Sequence, residues 1–224
     1  MMRSRFERQL EALHGALTGM GELCREAISA AVAALLSGDR EMAAQAVELE
    51  REIDRRERDI GSLCMKLLLQ QQPVARDLRA ISSALKMISD MERIGDQAAD
   101  IAEIACQMGG APLPGRLHIT EMTQAAMKMV GGSVEAFVKS DLSLAKRVAE
   151  YDDVVDGLFL QVKGELMELI LADASAAGEA LDLLMVAKYL ERIGDHAVNV
   201  AEWVAYALTG SRRPEGPEES GERA

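Results

Sequence analysis

Apolar residues recur every three or four positions over long stretches of this chain, which is the period of an amphipathic α-helix. One run holds Leu10, Leu13, Leu17, Met20 and Ile28. A second passes through Ala43, Ala46 and Val47 to Cys64, Met65 and Leu68, and a third through Val74, Leu78, Ile81, Leu85 and Ile88. The breaks between runs are few. Ser37-Gly38-Asp39 ends the first and offers Asp39 as the next N-cap. Gln72-Pro73 ends the second, with Pro73 suited to a first helical turn. The Gly/Pro-rich segment 109–115 is the strongest linker signal. Beyond it the pattern repeats. A helix runs to about Lys139, with a break at Ser140-Asp141; another runs to about Leu171, with a break at Asp173-Ala174-Ser175; a last one runs to about Thr209.

The internal match supports a duplication. Glu92-Arg93-Ile94-Gly95-Asp96 returns as Glu191-Arg192-Ile193-Gly194-Asp195, and Ala102-Glu103 returns as Ala201-Glu202. Matched breaks and matched motifs together make a repeat. The expected fold is all-α: two tandem antiparallel three-helix bundles related by a pseudo-twofold internal repeat. The bundles span residues 1–108 and 116–210, the linker 109–115, and a tail rich in Gly, Pro, Glu and Arg, expected to be disordered, 211–224.

Composition narrows this picture. Residues are 49% hydrophobic but only 3% aromatic, and abundant Ala, Leu, Met, Glu and Arg favours helix over sheet. A net charge of −12 excludes general binding to nucleic acid and points to cations or basic partner surfaces. No run of about 18 uncharged apolar residues reads as a membrane span. The basic start, Met-Met-Arg-Ser-Arg, leads into no apolar signal region, so a cytoplasmic protein is expected. Cys24, Cys64 and Cys106 are widely spaced and read as reduced core residues.

The candidate chemistry lies in four acidic pairs at i, i+4 spacing: Glu50 and Asp54, Glu92 and Asp96, Asp152 and Asp156, and Glu191 and Asp195. Each pair shares one side of its helix. On a helical wheel each continues an apolar stripe, so the pairs are expected to interrupt the core rather than form solvated faces. Asp54 and Glu92 lie at similar distances on either side of Gln72, as Asp156 and Glu191 do about Ala174. Antiparallel neighbours therefore bring the pairs of each bundle to one height, roughly 27 Å from the turn. Four carboxylates gathered this way repel one another, and partial burial adds several kcal/mol per uncompensated ion. Protonation, arginines or bound cations could offset that cost. Arg93 and Arg192 are expected to project off the stripe, which favours cations: magnesium, manganese, iron or zinc. Asp100 and, at the equivalent place, Asn199 extend the two rows. Glu22 and Glu26 share the spacing but lie opposite their stripe and are expected to be solvated. Ile94, Ile101, Ile193 and Val200 point away from the stripe, as a second packing surface within the repeat pair, a dimer contact or a partner site.

The duplicated Glu-Arg-Ile-Gly-Asp blocks, the Gln72-Pro73 … Asp77-Leu78-Arg79 segment and the four acidic pairs resemble the PhoU family over roughly Leu10 to Leu208. That resemblance implies metal bound through the acidic motifs and negative regulation of the phosphate regulon. It further implies an adaptor, often self-associating as a homodimer, between the phosphate transporter's ATPase subunit and a sensor histidine kinase, with membrane contact only through those partners. Asn199 departs from the acidic row and weakens the expected C-terminal site. A carboxylate-bridged di-metal oxidase is the competing enzymatic reading. It needs Glu-x-x-His on two helices, and only Glu11-Ala-Leu-His14 matches, far from the expected cluster. A structural bundle with unoccupied acidic sites is the third reading.

Overall fold

Seven α-helices and one 3₁₀ turn build this computed structural model, which describes residues 2–71, 73, 75–108 and 118–212. Helix α1 (Met2–Ser37) ends where Gly38 adopts a left-handed φ of 69° and donates its N–H to the Ala34 carbonyl at 2.8 Å. The Asp39 carboxylate then accepts from the Glu41 N–H at 2.8 Å, capping α2 (Arg40–Gln71). Helix α3 (Arg76–Met108) starts after Ala75, which has a φ of 45°, so Pro73 precedes the helix instead of occupying its first turn. The linker expected over 109–115 falls outside the described residues.

The second repeat opens with α4 (Ile119–Lys139), closed by left-handed Ser140, and Asp141 caps α5 (Leu142–Glu150) by accepting from the Leu144 N–H at 2.9 Å. The one long helix expected here is interrupted. At Tyr151 the backbone N–H is shared between the Arg147 and Val148 carbonyls, and α6 (Asp152–Ala172) begins one residue on. The helical pattern carries no signal for this interruption, because neither glycine nor proline marks it. A 3₁₀ turn at Ala174–Ala176 leads into α7 (Ala177–Thr209), which stops at Gly210, φ 86°.

Helices α1, α2 and α3 form one three-helix bundle; α4, the interrupted pair α5–α6, and α7 form the other. The chain is all-α, with no strand among the described residues. The repeats do not stand apart. Helix α3 lies antiparallel against α7, so that Arg79 reaches the Ala207 carbonyl at 3.4 Å, and α1 lies against α4. This pairing explains the second apolar face: Ile94, Ile101, Ile193 and Val200 are fully buried inside the chain. They are packing surface, not a dimer or partner contact. A helix packed on three neighbours needs a wide apolar arc, and the stripe read from sequence was one edge of it. Leu78, placed on that stripe, is exposed, while Met87, Met91 and Ala98 are buried. Cys24 and Cys64 are buried as free thiols, but Cys106 is exposed. Ser211 and Arg212, assigned to the tail, are described: Arg212 lies over the Trp203 ring and pairs with Glu202 at 2.7 Å. Residues 213–224 fall outside the described part.

Candidate metal centres

Two glycines decide how the acidic pairs meet. Gly95 sits between Glu92 and Asp96 on α3, and a Cβ there would lie 3.1 Å from Ile53 Cδ1, the fully buried residue between Glu50 and Asp54 on α2. Gly194 does the same between Glu191 and Asp195: its Cβ would lie 3.4 Å from Val155 Cγ1 and 3.3 Å from Asp152 Oδ1. In each bundle an apolar knob rests on a bare patch of helix backbone, and the carboxylates on both sides of the knob are drawn to the carboxylates on both sides of the glycine.

The electrostatics show this meeting. Partial burial, then Asp54 and Asp96, raise the Glu50 carboxyl above its ordinary range. Burial, then Asp96 and further on Asp54, raise Glu92. In the second bundle burial, then Asp156, Asp195 and Glu191, push Asp152 up to about 6, and burial with Glu191 raises Asp195. Burial comes first each time and like charge second.

The carboxylates flank the core without interrupting it. The side chains of Glu92 and Asp96 are 27% and 31% exposed, that of Glu191 is 15% exposed, and Asp156 and Asp195 are exposed residues. Ile53, Met91, Ile94 and their counterparts hold the positions the acidic stripe was expected to enter. The reason is again the wide arc of α3 and α7, which puts these stripes at its rim. Glu22 and Glu26 are solvated, Glu22 pairing with Arg25.

Cationic side chains reach the clusters more closely than the wheel suggested. Arg93 bonds Asp96 at 2.9 Å and approaches Glu92 at 3.4 Å. Lys188, which sequence reasoning passed over, bonds Glu191 at 2.6 Å; its signal was the i, i+3 spacing. Arg192 does leave its own motif, acting across the repeat interface on Asp100, which also bonds Tyr189. Asn199 is engaged at the same interface. Its amide donates to Asp90 at 3.2 Å and accepts from Arg212 at 3.5 Å, while His196 meets Asp90 at 3.0 Å. His14 faces the Phe137 ring of α4, and His118 pairs with Glu165, so neither histidine joins a cluster.

Among the described residues no three His, Cys, Asp or Glu side chains already form a ready ligand set. The C-terminal cluster nevertheless has the donor chemistry of a cation site. Asp152 Oδ1 is buried with no hydrogen-bond partner, and four further carboxylates, Asp156, Asp195, Glu191 and Asp153, act on this side chain. An orphaned carboxylate oxygen among like charges is stabilised by a hard cation.

Fold and site define a duplicated helical-bundle protein with one acidic centre per repeat. The PhoU domain family model matches twice, at residues 17–105 and 119–204. The chain is 36% identical to the phosphate-specific transport system accessory protein PhoU homolog of Pseudomonas aeruginosa, over 92% of this chain and 86% of that protein. The crystal structure of PhoU from Pseudomonas aeruginosa superposes with a TM-score of 0.85 at 36% identity, covering 92% of this chain and all of that one. The phosphate transport system regulatory protein PhoU from Streptococcus pneumoniae superposes with a TM-score of 0.85 at 28% identity, covering 94% and 100%. The chain belongs to the PhoU family. Among the described residues no helix is long and apolar enough to cross a membrane.

Proposed function

We propose that this protein is a non-enzymatic, metal-binding regulator of phosphate uptake. It acts in the cytoplasm as an adaptor between the ATPase subunit of a phosphate transporter and a sensor histidine kinase, and holds the phosphate response off when phosphate is abundant. One observation carries this reading: the family match falls on both repeats, and each repeat brings its acidic pairs together around the same Ile/Val-on-glycine contact. Glu50, Asp54, Glu92 and Asp96, with Asp100 at the edge, would hold the N-terminal ion. Asp152, Asp156, Glu191 and Asp195 would hold the C-terminal one, while Asn199 is turned toward Asp90. Iron, zinc, manganese and magnesium all suit carboxylate oxygen ligands. A bound ion supplies positive charge, which relieves the repulsion and sets the docking surface. A homodimer is part of the same reading.

The deciding experiment is a deletion strain grown at high external phosphate. Derepressed uptake, restored by the wild-type chain, supports the reading; normal repression in the deletion overturns it. Metal analysis of purified protein, with sedimentation for the dimer, tests the finer claims.

A further inference from the structure

A cleft borders the C-terminal acidic centre through Tyr151, which precedes Asp152, and Met129, which also faces Gly194, but no member of an acidic pair lines it. It has a volume of about 610 Å³ and opens between α1, α4 and α5, with Tyr151 at the α5–α6 break as one wall. Three cations line it, Arg25, Lys128 and Arg147, in a chain whose net charge is −12. Arg25 Nε is buried there with no partner among the protein atoms. The Lys128 ammonium sits 4.0 Å from the centre of the Tyr151 ring. Two acidic residues also line it, Glu135, which pairs with Lys139, and Glu150, and the Nη1 of Arg25 pairs with Glu22 at 3.1 Å. The rest of the wall is largely apolar, including Leu144, Val148 and Val154. Gly131 and Gly132 keep it open: a Cβ on Gly132 would meet Val148 Cγ2 at 2.9 Å, so α4 and α5 approach as closely as backbone allows, while Gly131 leaves the mouth clear beside Arg25.

We infer that this cleft binds a small organic anion, its charged group held by Arg25, Lys128 and Arg147 and its apolar body laid against α5. The volume falls within the range of small-molecule sites, roughly 300–1,000 Å³, and far exceeds what a bare inorganic oxyanion fills. A mainly apolar wall with a few convergent charges is the composition of an amphipathic ligand's site. This goes beyond the regulatory reading and does not depend on it, because none of these residues belongs to an acidic pair.

The test uses the full chain and 8-anilinonaphthalene-1-sulfonate, an aromatic anion whose fluorescence rises on leaving water. Saturable binding of one dye per chain is expected under native conditions. Lys128→Gln combined with Arg147→Gln, both exposed positions, should weaken it at least tenfold without changing the melting temperature. Gly131→Leu should abolish it while keeping the helix, since a Cβ there meets only ordinary contacts, the nearest at 3.5 Å. Inorganic phosphate at tenfold excess and constant ionic strength should leave the dye in place. Absence of saturable binding, affinity unchanged in both variants, or displacement by inorganic phosphate would each overturn the assignment.

Discussion

The two repeats solve one packing problem with different helices. In the first, α2 runs unbroken past Ile53, and the contact on Gly95 is a branched side chain against bare backbone. In the second, the equivalent helix is interrupted at Tyr151, one residue before the acidic pair. There Asp152 itself lies against Gly194, and one of its oxygens is buried and unpartnered. The first centre is partly neutralised by Arg93, which touches both acids of α3. The second has Lys188 on Glu191 and nothing comparable on Asp152. A duplicated motif thus yields two clusters of raised carboxyls, of which only the second, among the described residues, holds a buried oxygen without a partner. On the proposed reading a cation is demanded most at the unpartnered Asp152 oxygen in the C-terminal half, although Asn199 there replaces an acid.

The sharpest way to break this comparison is to remove the knobs. Ile53→Ala should cost about 2–5 kcal/mol in chemical denaturation, and Val155→Ala less, because fewer buried atoms are lost. A neutral outcome for Ile53→Ala would remove the glycine contact as the organiser of the first centre.

Cation binding comes next in size. Added Mn²⁺ should raise the melting temperature of the metal-free chain; at a hundred times its Kd, one site contributes about 2.7 kcal/mol. Glu191→Gln with Asp195→Asn should remove more of that rise than Glu92→Gln with Asp96→Asn, and lower metal stoichiometry by one site. Equal shifts and equal stoichiometry in both variants and wild type would rule out these acids as principal ligands.

A pH series isolates Asp152. Its carboxyl is raised to about 6 in the fold, against an ordinary 3.8. An acid raised on folding opposes the fold while ionised, so the penalty is fully present above pH 6 and fades as pH falls toward 4. The metal-free protein should gain about 1 kcal/mol from this group between pH 7.5 and 4.5, once solvent screening is counted. Asp152→Asn should abolish that gain; if the two pH profiles run parallel, the burial of this carboxylate has been misjudged.

The smallest effect belongs to Arg93, whose side chain is 60% exposed. Arg93→Ala should change metal-free stability by less than about 1 kcal/mol, yet tighten Mn²⁺ binding at the N-terminal centre in a calorimetric titration. Unchanged affinity would mean that Arg93 does not compensate this cluster.

Much of this molecule is written along the chain. The 3.6-residue period, the caps at Asp39 and Asp141 and the duplicated Glu-Arg-Ile-Gly-Asp block determine all-α repeats, and the i, i+4 spacing determines which carboxylates share a face. These are local properties, fixed by backbone geometry within a turn or two. What the tertiary structure decided is which face looks where. Ile94, Ile101, Ile193 and Val200 became core only because α3 packs on α7, and that same packing moved the acidic rows from the core to its rim. It also turned Asn199 to Asp90. A wheel describes one helix against one partner, whereas α3 and α7 each answer to several, and the direction of a buried arc is a property of all of them together.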